Sequence, residues 1–322
     1  MLTENLTGFV ARRRGEIDAA LRAGLPLSTL PAARRLNEAV EYAVFPGGKR
    51  LRPALALLAS DLAGASRAQS LRVACAVEFL HSSSLLLDDL PAMDDADFRR
   101  NRRALHLVFG EGVAVLASVA LLNRAYALLA EATAGGNGVA AALLAEATRC
   151  VGADGMVGGQ IVDLETRAGR ADDHALACRD LKTVALMRLM MTAGALASGA
   201  GAEDARALAD FGECFGRAYQ VCDDLLDEDG DGGEPTGKPA RQDARHSRAT
   251  IVSALGVGGA RDFAAELVAR GVARLHERFG ARAEVELLAE AANQVLGRAG
   301  ALSEAPSRLA YAGANQFTAA GR

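Results

Sequence analysis

The chain has 322 residues, half of them hydrophobic and 24% charged, with no Trp and few aromatics. That balance excludes a disordered chain, and its wealth of Ala and Leu favours helices over strands. The 36 Lys and Arg stand against 40 Asp and Glu, and the net charge of −4 supplies no global basic field for nucleic acid.

The length suits one large domain or two, and is ample for a sizeable core. In chain order, apolar residues recur at i, i+3, i+4 and i+7 over 3–23, 32–44, 51–63, 68–89, 112–133, 137–150, 154–168, 173–199, 204–228, 259–278 and 281–298, which predicts helices. Pro31 and Pro53 mark helix starts; Gly110, Gly135 and Gly169 mark ends. No hairpin pattern, tandem repeat or Pro- or Ser-rich linker interrupts the series. A single all-α domain over 1–322 is expected, with 303–322 a frayed tail. The Gly-rich acidic stretch from Asp227 to Asp243 reads as a loop. Cys75, Cys150, Cys178, Cys214 and Cys222 form no CxxC, against both a disulfide framework and a zinc site. Arg12, Arg13 and Arg14 stand where a signal peptide needs its apolar stretch, and no run of about 18 uncharged apolar residues occurs. The expectation is a soluble cytoplasmic protein without membrane insertion.

Chemistry concentrates in two acidic motifs. The first, DDLPAMDDADFRR, runs from Asp88 to Arg100 at the end of an apolar helix. A charge run is ordinarily a solvated face, yet carboxylates gathered at a helix C-terminus oppose its dipole unless a cation compensates. Asp88 and Asp94 would lie on different faces of a continuous helix; Pro91 interrupts it and lets Asp94 turn back towards Asp88. The second motif, YQVCDDLLDEDGD, sets Gln220, Asp223 and Asp227 on one helical stripe. Like charges so spaced destabilise an isolated helix by about 0.2–0.5 kcal/mol, and a divalent cation against the stripe would relieve them. Oxygen ligands without His or Cys suit Mg²⁺. Lys49, Arg50 and Arg52 of GGKRLRP, then Arg99 and Arg100, Lys182 and Lys238, supply cations in separate clusters, as two diphosphates would require. GGKRLRP lacks P-loop spacing.

Five motifs in order carry a family resemblance: GGKRLRP (47–53), FLHSSSLLLDDLPAMDDADFRR (79–100), GMVGGQIVDLE (155–165), LKT (181–183), and FGECFGRAYQVCDDLLDEDGD (211–231) with GKP (237–239). The chain resembles the trans-isoprenyl diphosphate synthases, the farnesyl/geranylgeranyl diphosphate synthase or polyprenyl synthetase family. The resemblance implies a homodimeric all-α fold, a helical bundle of the isoprenoid synthase type with a deep central cavity flanked by the two acidic motifs. By position it implies that Asp88, Asp94 and Asp223 hold Mg²⁺ on an allylic prenyl diphosphate, with Asp89, Asp224 and Asp227 beside them. Arg99, Lys182 and Lys238 complete that clamp, while Lys49, Arg52, His81 and Arg100 hold isopentenyl diphosphate. Cations stabilise the departing diphosphate, and Thr183 and Gln220, next to Lys182, present dipoles to the allylic cation. The isopentenyl double bond attacks, and a proton is lost to the released diphosphate. Away from these motifs His81 reads equally as a core histidine, Gln220 as an interhelix hydrogen bond and Cys222 as a small core residue.

In this family, bulk just before the first acidic motif acts as a floor for the growing chain. Ser83 and Ser84 are small there, so a product longer than farnesyl, geranylgeranyl diphosphate, is expected. Several family positions differ. Leu87 replaces a His, Asn101-Arg102-Arg103-Ala104-Leu105 replaces Gly-Lys/Arg-Pro-Thr, and Leu107 replaces a Lys; Ser118-Val119 replaces Gly-Asp, Val184 a Gly, and Arg248-Ala249-Thr250 a Lys-x-Thr. Losses around metal sites cost about 10–100-fold in affinity or activity. An active geranylgeranyl or farnesyl diphosphate synthase, a non-catalytic or weakly active partner subunit, and a divergent prenyl-transfer or cyclising enzyme all remain open at this stage.

Overall fold

Two helices apolar around their whole circumference form the centre of the molecule, since a helix with no polar face is stable only where neighbours cover it on all sides. They are α4 (Arg67–Asp88) and α9 (Leu181–Ser198), the latter buried at nearly every residue from Ala185 to Ala197. The computed structural model describes residues 4–45, 47–133, 139–168, 181–229 and 251–300; Cys178, Lys238, the triplet Arg248-Ala249-Thr250 and the expected tail lie outside them. Around the central pair run α1 (Leu6–Gly24), α2 (Arg34–Val44), α3 (Leu51–Leu62), α5 (Leu105–Phe109), α6 (Glu111–Ala132), α7 (Val139–Val151), α8 (Met156–Arg167), α10 (Ala202–Asp229), α11 (Ile251–Phe279) and α12 (Ala283–Arg298). α9 packs on α3, α4, α7, α8 and α10; α4 packs on α3 and α6; α10 lies along α11. A connected cluster of buried apolar side chains extends from Leu6 to Ala299. The architecture is all-α.

Local chemistry sets the helix limits. Asn5 caps α1, its side chain accepting from Gly8 N at 2.9 Å, and Ser66 with Gln69 forms a capping box on α4. α11 kinks at Gly256, where φ is 70°, which is why the periodic pattern becomes continuous only beyond it.

One expectation fails between α4 and α6. β1 (Phe98–Arg99) and β2 (Arg102–Arg103) form a short antiparallel hairpin pairing Phe98 with Arg103 and Arg99 with Arg102. Arg100 and Asn101 at its tip take φ of 53° and 60°, the positive pair that a type I′ connection needs. Two-residue strands carry no alternation to detect, and Asn101 tolerates the left-handed region. The hairpin is anchored on the end of α2. Arg102 donates to Phe45 O at 2.6 Å and lies 3.7 Å above the Tyr42 ring, while Tyr42 Oη donates to Arg103 O at 2.9 Å.

α4 and α6 are also long and apolar enough to cross a membrane, although neither contains a long uncharged run. Core burial accounts for α4. α6 instead presents Val115, Leu116 and Val119 outwards, near the exposed Leu107 and Val108 of α5.

Candidate active site

The first acidic motif is a tight turn. α4 ends at Asp88, and Asp94 N donates back to Asp88 O at 2.8 Å while Ala96 N donates to Asp89 O at 3.2 Å. Pro91 thus breaks the helix and Asp94 returns beneath its end. Asp88 and Asp89 are only 7% and 2% exposed. Two cations meet them: Lys182 Nζ donates to Asp88 Oδ1 at 2.5 Å, and Arg99 Nε to Asp89 Oδ1 at 2.9 Å. Burial still raises the Asp88 carboxyl above its ordinary range; Lys182 opposes that rise and the Asp94 charge adds to it.

Lys182 is steered by a residue that the sequence marked only as part of a motif. Gln160 Oε1 accepts from Lys182 Nζ at 2.7 Å, and Gln160 Nε2 reaches Met93 Sδ at 3.5 Å. Its neighbour Gly159 permits the contact, because a Cβ there would sit 2.5 Å from Lys182 N. The Gly-Gly-Gln run was the available signal: small residues at a helix crossing with a long polar side chain next to them.

The second motif is arranged differently. Thr183 Oγ1 donates to Gln220 Oε1 at 3.3 Å, and Gln220 Nε2 donates to Asp224 Oδ1 at 3.1 Å. Asp224 is buried, Asp227 half-buried and Asp223 exposed. The first turn of α9 therefore bridges both motifs, Lys182 towards Asp88 and Thr183 towards Gln220. Among the described residues no group of three or more His, Cys, Asp and Glu is assembled to hold a metal ion. The donors present are carboxylate oxygens alone, which fits a hard divalent cation. Lys182 and Arg99 meanwhile neutralise the first pair.

Beside this lies a patch of positive charge. Lys49 is exposed, Arg52 Nε is buried without a partner, and a Cβ on Gly48 would stand 3.5 Å from Arg100 Cζ, so that guanidinium rests against the GGKR loop. His81, half-buried on α4, is held well below its ordinary pKa by burial and by the charges of Arg52, Arg100, Arg99 and Lys182. Burial, with Arg50, Arg52 and Arg99 nearby, also lowers Arg100, although Glu78 opposes this. Cations crowded about a neutral imidazole leave a demand for an anion.

Ser83 and Ser84 separate. Ser83 is 4% exposed and its Oγ lies 2.9 Å from Ser118 Oγ, which itself donates to Ser83 O at 3.0 Å. Ser84 Oγ donates to His81 O at 3.0 Å. Ser118 is thus fastened to the expected floor position. Cys222 is a core residue, 2% exposed, its thiol pushed up to about 12 by burial and by Asp223.

Fold and site together form an all-α bundle that sets buried carboxylates against Lys182 and Arg99, beside a cluster of further cations. The chain belongs to the polyprenyl synthetase family, whose sequence profile matches residues 33–273. It is 33% identical over 276 residues to geranylgeranyl pyrophosphate synthase 7, chloroplastic, of Arabidopsis thaliana, covering 84% of this chain and 78% of that protein. Its fold is similar to the crystal structure of an FPP/GFPP synthase from Zymomonas mobilis, with a TM-score of 0.78 and 32% identity over 90% of this chain and 98% of that one. It is also similar to a polyprenyl synthase from Caulobacter crescentus complexed with calcium and isoprenyl diphosphate, with a TM-score of 0.74 and 25% identity over 92% and 98% of the two chains. This protein is a trans-prenyltransferase of the short-chain type, in a family whose enzymes use a divalent metal.

Proposed function

We propose that the enzyme condenses isopentenyl diphosphate with an allylic prenyl diphosphate to make geranylgeranyl diphosphate, with Mg²⁺ as its metal. The observation that carries this is the bridging first turn of α9, where Lys182 meets Asp88 and Thr183 meets Gln220. Lys182 and Arg99 hold the first motif as a charge-compensated face for the allylic diphosphate, and Lys238 belongs to the same clamp. Mg²⁺ held by Asp88, Asp94 and Asp223, with Asp89, Asp224 and Asp227 beside them, would supply neutralisation of the departing diphosphate. Lys49, Arg52, His81 and Arg100 take isopentenyl diphosphate, His81 as a neutral hydrogen-bonding group. Thr183 and Gln220, bonded to each other, would present their dipoles to the allylic carbon that becomes positive. The relative from Arabidopsis named for geranylgeranyl pyrophosphate, and the Caulobacter complex with a divalent cation and an isoprenyl diphosphate, support both substrate class and metal class.

The test is product analysis with Mg²⁺, isopentenyl diphosphate and each of dimethylallyl, geranyl and farnesyl diphosphate. A geranylgeraniol peak after dephosphorylation, abolished by EDTA, is expected; no product from any starter by a folded protein would move the assignment to a synthase-like partner subunit. Small Ser83 and Ser84 support the chain length, and Ser83→Tyr is expected to shorten the product to farnesyl. The exposed Val115, Leu116 and Val119 stripe supports a homodimer joined through α6. Leu116→Glu is expected to sediment as a monomer.

A further inference from the structure

The three cations of GGKRLRP do not face the same way. Lys49 is exposed and Arg52 lies in the first turn of α3, whereas the Arg50 side chain has no exposed area. Arg50 donates from Nε to Asp18 Oδ1 at 2.8 Å, from Nη1 to Glu78 Oε1 at 2.6 Å and from Nη2 to Val44 O at 2.9 Å. Its guanidinium also stands 5.2 Å from the Phe45 ring centroid. Three of its five N–H groups are engaged and no surface of the side chain is exposed to meet a ligand. Its backbone takes φ of 57°, a strained value for a residue with a side chain, and Gly47 must lack one, because a Cβ there would lie 2.2 Å from Arg50 Cζ. The chain accepts both constraints to drive this guanidinium inwards.

The partners explain what that achieves. Glu78 stands on α4 one turn before His81, Asp18 stands on α1, and Arg50 itself caps the start of α3, two residues before Arg52. The ion pair therefore joins the element that carries Lys49 and Arg52 to the element that carries His81, and Arg100 rests on the same loop through Gly48. We infer that Arg50 is a positioning residue for the isopentenyl diphosphate site: through Glu78 and Asp18 it sets the spacing between Lys49 and Arg52 on one side and His81 and Arg100 on the other. This rests on the proposed function. A diphosphate gripped from two elements is sensitive to their separation, since a misplacement of about 1 Å costs roughly a hundredfold.

Two variants test it. Arg50→Lys keeps the charge but cannot span three acceptors; Arg50→Met combined with Glu78→Leu replaces the pair by apolar packing and leaves no buried charge unpaired. For each, the thermal midpoint, the KM for isopentenyl diphosphate, the KM for geranyl diphosphate and the calorimetric binding of isopentenyl diphosphate alone are measured. The expected result is an isopentenyl diphosphate KM and Kd raised about 10–100-fold in a folded protein, with the geranyl diphosphate KM within about twofold of wild type. Arg50→Lys carries the test if the double variant does not fold. Unchanged binding of isopentenyl diphosphate by a folded variant, or parallel loss for both substrates, overturns the role of Arg50. Wild-type protein that neither binds nor turns over isopentenyl diphosphate overturns the proposed function instead.

Discussion

The two acidic motifs face one helix and differ in how deeply their carboxylates are buried and in the partners that meet the buried ones. At the end of α4 the carboxylates are buried and each has its own cation, Lys182 on Asp88 and Arg99 on Asp89. On α10 only Asp224 is buried, tied to a neutral Gln220, while Asp223 stands in solvent. The first motif is held by protein cations, whereas the buried carboxylate of the second, Asp224, accepts from the neutral amide of Gln220. Desolvation is costly to a buried carboxylate without a partner, and the Lys182 and Arg99 pairs offset that cost at Asp88 and Asp89.

The contrast is sharpest at Asp88 and Asp223. Changing either to Asn is expected to lower kcat by about a thousandfold if both hold the metal. Stability separates them. Asp88 has a carboxyl pKa raised in the folded state, so its ionised form works against folding at neutral pH, and Asp88→Asn is expected to melt at or above the wild-type temperature. Asp223→Asn, at an exposed position, is expected to leave the melting temperature unchanged. A lower melting temperature for Asp88→Asn would mean that the Lys182 pair outweighs burial.

Lys182→Met comes next in size. It removes the group proposed to meet the leaving diphosphate, for an expected loss of about a hundredfold in kcat. It also strips Asp88 of its counter-charge, for an expected loss of about 2 kcal/mol at neutral pH. That loss should shrink on acidification as Asp88 takes up a proton, and chemical denaturation at two pH values measures it.

The smallest effect belongs to the cationic patch. His81 is depressed well below 6.5 in the folded protein, so the unfolded chain binds the extra proton as pH falls through that value. Stability should therefore fall with falling pH below about 6.5, by up to about 1.4 kcal/mol per pH unit from this group. His81→Gln should flatten the slope between pH 6.5 and 5. An unchanged slope would show that His81 already carries the proton and that the patch is less crowded than its geometry indicates.

Much of this was legible in the chain because it is local. The apolar period located the helices, Pro91 located the turn that returns Asp94, and offsets of 0, 3 and 7 placed Gln220, Asp223 and Asp227 on one stripe, although the carboxylate that Gln220 meets is Asp224. Periodicity could not rank Asp223 against Asp224, because both offsets return to the Gln220 face; only the position of α9 decides which one is covered. Nor could it see the 98–103 hairpin, whose strands are shorter than any pattern, or the partnership of Gln160 with Lys182, which joins α8 to α9.

The sequence by itself thus determined the helices, the acidic turn and the inventory of charges, since each follows from the spacing of neighbours along one chain. The tertiary structure decided which charges are consumed. Arg50, Arg52 and Lys49 are almost adjacent in sequence, yet Arg50 is spent on Asp18 and Glu78 inside the core while Lys49 is exposed and the Arg52 Nε is buried without a hydrogen-bond partner. A guanidinium points wherever its counter-charges lie, and those come from α1 and α4, brought there only by packing.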